Sequence, residues 1–127
     1  LGTVILSRDA GIGKSAILAE EMAVSQHFMA WRCGKKLDNY FLYFWLQLKK
    51  PEFNAIAMGS TIPTIGLDYF KRLKIAAPLD IEEQVLIGNR ILKSFEYIQK
   101  LHIEKKKYEL IKKGLMQDLL TGKVRVD

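Results

Sequence analysis

The stretch Asp80 to Thr121 constrains this chain more than any other part of it. It reads as one helix in a chain of 127 residues. At about 1.5 Å rise per residue, such a helix is about 60 Å long. A small globule has no use for that length, so the helix is expected to serve something outside the globule. Its ends are marked. Pro78 disfavours the α region for the residue before it and closes the preceding segment. Asp80 and Glu83 form a D-x-x-E pattern, an aspartate version of the capping box, in which each side chain can accept from the other's backbone N–H. Glu82 and Glu83 also suit the positive end of the helix dipole. Gly122 is expected as a left-handed cap after Thr121.

Along this helix Ile87, Ile91, Phe95, Ile98 and Leu101 follow in steps of four, four, three and three. Tyr108, Leu115 and Leu119 continue the stripe, which is close to a heptad seam. Lys105 interrupts it, with Glu104, Lys106 and Lys107 around it. Gly114 weakens the helix by about 1 kcal/mol relative to Ala but lets a neighbour approach. No Pro or Gly lies between Gly88 and Gly114, so a continuous helix is expected rather than a bent hairpin. The stripe should pack on another helix, either a second copy or a missing half.

Upstream, Thr3 to Ser7 reads as a buried strand and Arg8 to Lys14, with two glycines, as a turn. Ser15 to Leu18 reads as a second strand and Glu20 to Met22 as a turn. Ala23 to Arg32 alternates loosely and suits a strand with one exposed face. Asp38 or Asn39 can cap a helix over the apolar run Tyr40 to Leu48, buried nearly all round and ending near Lys50 before Pro51. Residues 51 to 63 read as irregular, Asp68 to Leu73 as a helical turn, and Leu73 to Ala76 as a short strand. Lys123 to Val126 alternates and suits a short terminal strand. The first residues lack a Met and look like mid-strand, so the chain is expected to be a fragment. The class that results is α+β: a small mixed α/β globule, residues 1–79, followed by one long coiled-coil-forming α-helix with a short tail, residues 80–127.

A hydrophobic fraction of 49% and a charged fraction of 27% suit a folded soluble protein. No window reaches the roughly 18 apolar residues of a membrane span. The single cysteine, Cys33, excludes an internal disulfide and reads as a small buried or half-buried residue. The net charge of +6 suits a polyanion without naming one.

Gly11-Ile12-Gly13-Lys14-Ser15 resembles part of a phosphate-binding loop. The full pattern needs glycine where Arg8 stands, and no acidic residue closes a later apolar strand to serve Mg²⁺. A glycine-rich turn is the simpler reading; a third is that Arg8 and Lys14 touch DNA phosphate. His27 shows no matching acid or nucleophile in the sequence, so it reads as a structural histidine or as a DNA contact beside Gln26, which can pair bidentately with adenine. Lys35-Lys36 is a solvated turn or a phosphate contact. No catalytic constellation, metal set or cofactor motif emerges.

Pro78-Leu79-Asp80-Ile81-Glu82-Glu83-Gln84 leads into the helix, and Lys112 to Val126 carries Leu119-Leu120-Thr121-Gly122. Together they resemble the specificity (S) subunit of type I restriction-modification systems. The upstream part is similar as well: Ile5 to Arg8 with Gly11 and Gly13, Val24 to Phe28, the aromatic run, and Gly59 to Pro63 look like the later portion of that family's target recognition domain. The resemblance covers essentially the whole chain. It implies a non-catalytic subunit with two recognition domains, each followed by a long helix, the helices packing antiparallel as a spacer. Each recognition domain reads one half of a split double-stranded DNA site for DNA methylation and restriction. Methyltransferase (M) subunits grip the helices and a restriction (R) subunit completes the complex; a cytoplasmic setting is the default expected from the single cysteine.

On side-chain chemistry, the DNA-side residues are expected to be Arg8, Lys14, Gln26, His27, Arg32, Lys35, Lys36, Ser60 and Thr61. The helix-packing residues are expected to be Ile87, Ile91, Phe95, Ile98, Leu101, Tyr108, Leu115 and Leu119, toward a second S half or a homodimer. The alternative is a helix-mediated interaction module that does not bind DNA productively by itself. An ATP-binding enzyme built on Gly11 to Ser15 is a third reading.

Overall fold

The structure is a computed structural model that describes residues 2–57 and 62–126. Its elements are β1 (Val4–Ser7), β2 (Ser15–Ile17), β3 (Phe28–Trp31), α1 (Asn39–Ile56), α2 (Leu67–Arg72) and α3 (Ile81–Leu120). They fall into two compact units, Leu1–Ile91 and Leu92–Asp127.

In the first unit, β1 is the central strand of a three-stranded antiparallel sheet of order β2-β1-β3. Leu6 pairs with Ser15 on one side and Met29 on the other, and Ser7 pairs with Phe28. The period of two puts Val4 and Leu6 on one face, fully buried. Helix α1 lies on that face with Leu42, Leu46 and Phe53, an i, i+4, i+11 stripe. Each such buried side chain contributes about 1.5–3 kcal/mol of burial free energy. Ile12, Ile65 and Phe70 complete the core. Edge-to-face rings extend it: Tyr69 meets Phe70 at 5.6 Å and Phe53 at 6.2 Å.

Helix α1 is capped as expected, the Phe41 N–H donating to Asp38 Oδ1 at 2.8 Å. It does not stop at Lys50. It runs through Pro51 to Ile56. Pro51 stands on the exposed face, where losing one N–H is tolerable, and the buried Phe53 holds the final turns on the core. The helix is also not buried all round: Leu48 is 74% exposed. Three strand expectations fail for want of a partner. Residues 23–27 stay outside β3 because β1 offers only four positions for pairing. Leu73 to Ala76 alternates in burial but joins no ladder, and Lys123 to Val126 forms no strand.

Helix α3 is continuous from Ile81 to Leu120, across Lys105. Its cap differs in detail from the capping box: Asp80 Oδ1 accepts from the Glu82 N–H, at 2.9 Å, rather than from Glu83. Gln84, in the second turn, is 1% exposed. Its Nε2 donates to the carbonyls of Lys36 (3.1 Å) and Pro78 (2.7 Å), and its Oε1 accepts from the Asp38 N–H (3.0 Å). Gly88, one turn on, is needed for close approach. A Cβ there would lie 3.0 Å from the Tyr40 Cβ and 3.2 Å from Asp38 Oδ1.

In the second unit Leu92 is half-buried, and the apolar side chains of α3 beyond it are exposed. The helix ends at Gly122 (φ +72°), whose N–H donates to the Leu119 carbonyl. Thr121 Oγ1 donates to the Gln117 carbonyl, and Lys123 pairs with Asp118 at 3.0 Å.

Replacing Gln84 by Ala strands one buried donor and two carbonyls. Gln84→Ala should therefore lower stability by about 2–4 kcal/mol, measured by urea unfolding.

Candidate nucleic-acid interface

The antiparallel register sorts the basic residues into two groups. The end of β1 at Ser7 meets the start of β3 at Phe28, and the start of β1 at Val4 meets the end of β3 at Trp31. Three residue steps separate the two ends, about 10 Å at the rise of a strand. Arg8, Lys14, Gln26 and His27 gather at the first end. Arg32 sits at the second, where it lines a cleft with Glu20, Glu21 and Cys33. Lys35 and Lys36 follow it in the turn before α1, with the Lys36 carbonyl held by Gln84. Ser60 and Thr61 lie outside the described residues. The seven described residues therefore divide between the two ends of the sheet.

The first end is built by Arg8, which acts as a brace. Its Nε–H donates to the Ile65 carbonyl at 3.1 Å and its Nη1–H to the Gln26 carbonyl at 3.3 Å. Its backbone N–H donates to the His27 carbonyl (3.0 Å), and its carbonyl accepts from the Ile65 N–H (2.8 Å). One residue thus ties three segments together: the turn after β1, the turn before β3, and the approach to α2. The charge-assisted bonds are the stronger kind.

His27 has a partner that the sequence did not disclose. Its Nδ1 lies 2.5 Å from Asp9 Oδ2. A carboxylate at that distance requires the proton on Nδ1, so Nε2 is the ring atom left for a ligand. The His27 N–H donates to Ser25 Oγ, and Ser7 Oγ donates to the Asp9 carbonyl. His27 and Asp9 line an open cleft of about 270 Å³ with Ser7, Ser25, Phe28 and Ile62. A fixed imidazole, a neighbouring carboxamide on Gln26 and two hydroxyls can all make hydrogen bonds to base edges.

Across Ala10 lies a second cleft, lined by Lys14, Lys50, Asn54 and Pro63. Asn54 escaped the sequence reading because α1 was expected to end near Lys50, and Lys50 because its packing against the distant Gly13 leaves no local signal. Asp9 escaped because 18 residues separate it from His27, with no local signal.

Cys33 is half-buried, as expected. Burial pushes its thiol pKa up, and the nearby Asp38 carboxylate adds to the shift. Among the described residues, no three His, Cys, Asp or Glu side chains gather as a metal site.

The sequence model of the type I restriction modification DNA specificity domain matches residues 2–113. The chain belongs to that family. Among specificity-domain relatives, it is 29% identical over 124 residues to a putative type I restriction enzyme MjaX specificity subunit of Methanocaldococcus jannaschii, covering 97% of this chain and 29% of the relative. It is 33% identical over 95 residues to the type I restriction enzyme MjaVIII specificity subunit of the same organism, covering 73% of this chain and 22% of the relative. The chain thus spans less than a third of these curated relatives. Its fold is similar to that of a type I restriction-modification system S subunit from M. genitalium, with a TM-score of 0.68 at 19% identity, over 92% of this chain and 32% of that one. The α+β class expected from the sequence is therefore the observed one.

Within this specificity domain the packing residues divide as well. Ile87 and Ile91 are half-buried in the first unit, whereas Phe95, Ile98, Leu101, Tyr108, Leu115 and Leu119 are 40–60% exposed. Because the Cys33 thiol is held protonated, its alkylation at pH 8 should be slower than that of an unstructured cysteine peptide. Equal rates would show that the site neither shields the thiol nor shifts its titration.

Proposed function

We propose that this chain is part of a DNA-reading subunit that directs methyltransferase and restriction subunits to a bipartite DNA site. Residues 1–79 serve as part of a target recognition domain, and residues 80–127 as a spacer helix with its tail. The chain performs no chemistry in this reading, works in the cytoplasm and needs no cofactor of its own. The observation that carries it is the gathering of Gln26, Lys14 and an Asp9-held His27 at one end of the sheet, in a chain of the specificity-domain family. Phosphate contacts position such a domain and base contacts give it sequence preference. Gln26 and His27 are assigned the base contacts. Arg8 is assigned the framework that holds their turn. Arg32, Lys35 and Lys36, at the far end, would contact backbone outside the base-reading patch; Ser60 and Thr61 are kept as further DNA-side residues.

The spacer role rests on the exposed apolar side chains of α3. Leaving this many large apolar groups in water is unfavourable, and an antiparallel helix from a second specificity half or a second copy would cover them. The same exposure favours a second reading, an interaction module whose helix docks on a partner while the globule does not bind DNA productively.

Two measurements separate these readings. In the full specificity subunit assembled with its methyltransferase partner, Gln26→Ala with His27→Ala should relax base preference at one or two positions, each worth about 1–3 kcal/mol of discrimination. Unchanged preference would remove those residues from the reading surface, and no DNA binding at low salt would favour the interaction module. Phe95→Asp with Ile98→Asp should convert a helix-paired assembly into separated chains in sedimentation. A surviving assembly would mean that this face of α3 is not the contact.

A further inference from the structure

The loop from Arg8 to Lys14 holds a feature that base reading by His27 does not use. Ile12 is buried and anchors the loop to the core. The glycines on either side take left-handed backbone, Gly11 at φ +102° and Gly13 at φ +76°. Only glycine adopts these values cheaply. The room they leave is filled by two lysine stems. A Cβ at Gly13 would lie 2.8 Å from Lys50 Cγ and 3.4 Å from its Cα. A Cβ at Gly11 would lie 3.2 Å from Lys14 Cδ. Lys14 thus lies along Gly11, and Lys50 along Gly13.

Both lysines line the same open cleft, of about 360 Å³, with the exposed amide of Asn54. Among the described residues, no acidic side chain lines it. Lys49, next in sequence, pairs with Glu52, and Lys71, Lys105 and Lys123 each pair with a carboxylate. Among the described residues, Lys14 and Lys50 have no carboxylate partner. Two like charges seated on one cleft repel each other unless an anion joins them. Asn54 adds an amide N–H donor of the kind that phosphate oxygens accept. This cleft and the His27 cleft share Ala10, and the adjoining residues Ile62 and Pro63 line one each. An anion held here therefore lies beside the base-reading atoms.

We infer that Lys14 and Lys50, seated on Gly11 and Gly13, hold with Asn54 a backbone phosphate of the DNA strand whose base is read at the adjoining His27 cleft. The inference rests on the DNA-reading function and names a phosphate site for it. A phosphodiester suits the place better than a free nucleotide: the cleft is open, and the loop lacks the remaining glycine of a nucleotide-binding loop.

The test measures DNA affinity of the full specificity subunit in its complex as a function of salt. Lys14→Gln with Lys50→Gln should flatten the slope of log K against log salt by about 0.9, the amount expected for the loss of one phosphate contact. Affinity should fall alike for cognate and non-cognate duplexes, leaving base preference unchanged. Lys14→Arg with Lys50→Arg keeps both charges and should retain the wild-type slope. Inorganic phosphate or ATP should compete no better than chloride at equal ionic strength. An unchanged slope in the Gln variant overturns the inference while wild-type DNA binding upholds the function. A wild-type complex that does not bind DNA removes both. Strong competition by inorganic phosphate or ATP would assign a free-anion site and overturn the inference alone.

Discussion

Gln84 is a fully buried polar side chain whose amide makes three hydrogen bonds, and the first unit is arranged around them. The amide joins three segments that the sequence keeps apart: the turn at Lys36–Asp38, the Pro78 corner, and the start of α3. Asp38 is the pivot. Its N–H donates to Gln84, and its carboxylate caps α1 through Phe41. Gly88 lets α3 press against the same spot. In a low-dielectric interior such a network is stable only when fully satisfied. Every polar atom of Gln84 has a partner. The helix start is thereby fixed to the N-terminus of α1, and α1 carries the core stripe that holds the sheet.

The sheet in turn fixes what its two ends present. Because β1 is central and antiparallel to both neighbours, the turns around Arg8–Lys14 and Ser25–His27 emerge side by side. Arg8 uses its guanidinium to lock them to the Ile65 segment. Its charge is spent on carbonyls rather than left for a ligand, so Arg8 shapes the surface more than it occupies it. His27 is held by Asp9, and the lysines by glycine-lined troughs. A patch built this way is preorganised, which lowers the ordering cost of binding. The opposite end, with Arg32 beside Glu20 and Glu21, carries mixed charge and suits a polyanion less well.

Much of this was legible in the sequence where the signal is local. The Asp38 cap, the entry at Asp80, the stop at Gly122 and the uninterrupted course across Lys105 all depend on residues within a few positions of one another. What escaped depends on partners far along the chain. Pro51 was expected to end α1, and only the burial of Phe53 two residues later explains why it does not. That error hid Asn54, and the approach of Lys50 to Gly13 likewise had no local signal. Asp9 and His27 carry no mutual signal until the β1–β3 register brings them together. Strand lengths were overestimated wherever alternation alone was visible, since a ladder needs a neighbour as well as a pattern. The family resemblance came from the helix entry and the Leu-Leu-Thr-Gly segment. It could not reveal that the basic residues divide between two ends.

The end of the sheet carrying His27 and Lys14 is the surface proposed to meet DNA. Hydrogen exchange of the assembled specificity complex, with and without its cognate duplex, tests that most directly. Protection is expected in residues 8–14, 25–28 and 50–57, with little change at residues 32–36. Protection confined to residues 32–36, or none anywhere in residues 2–57, would contradict it.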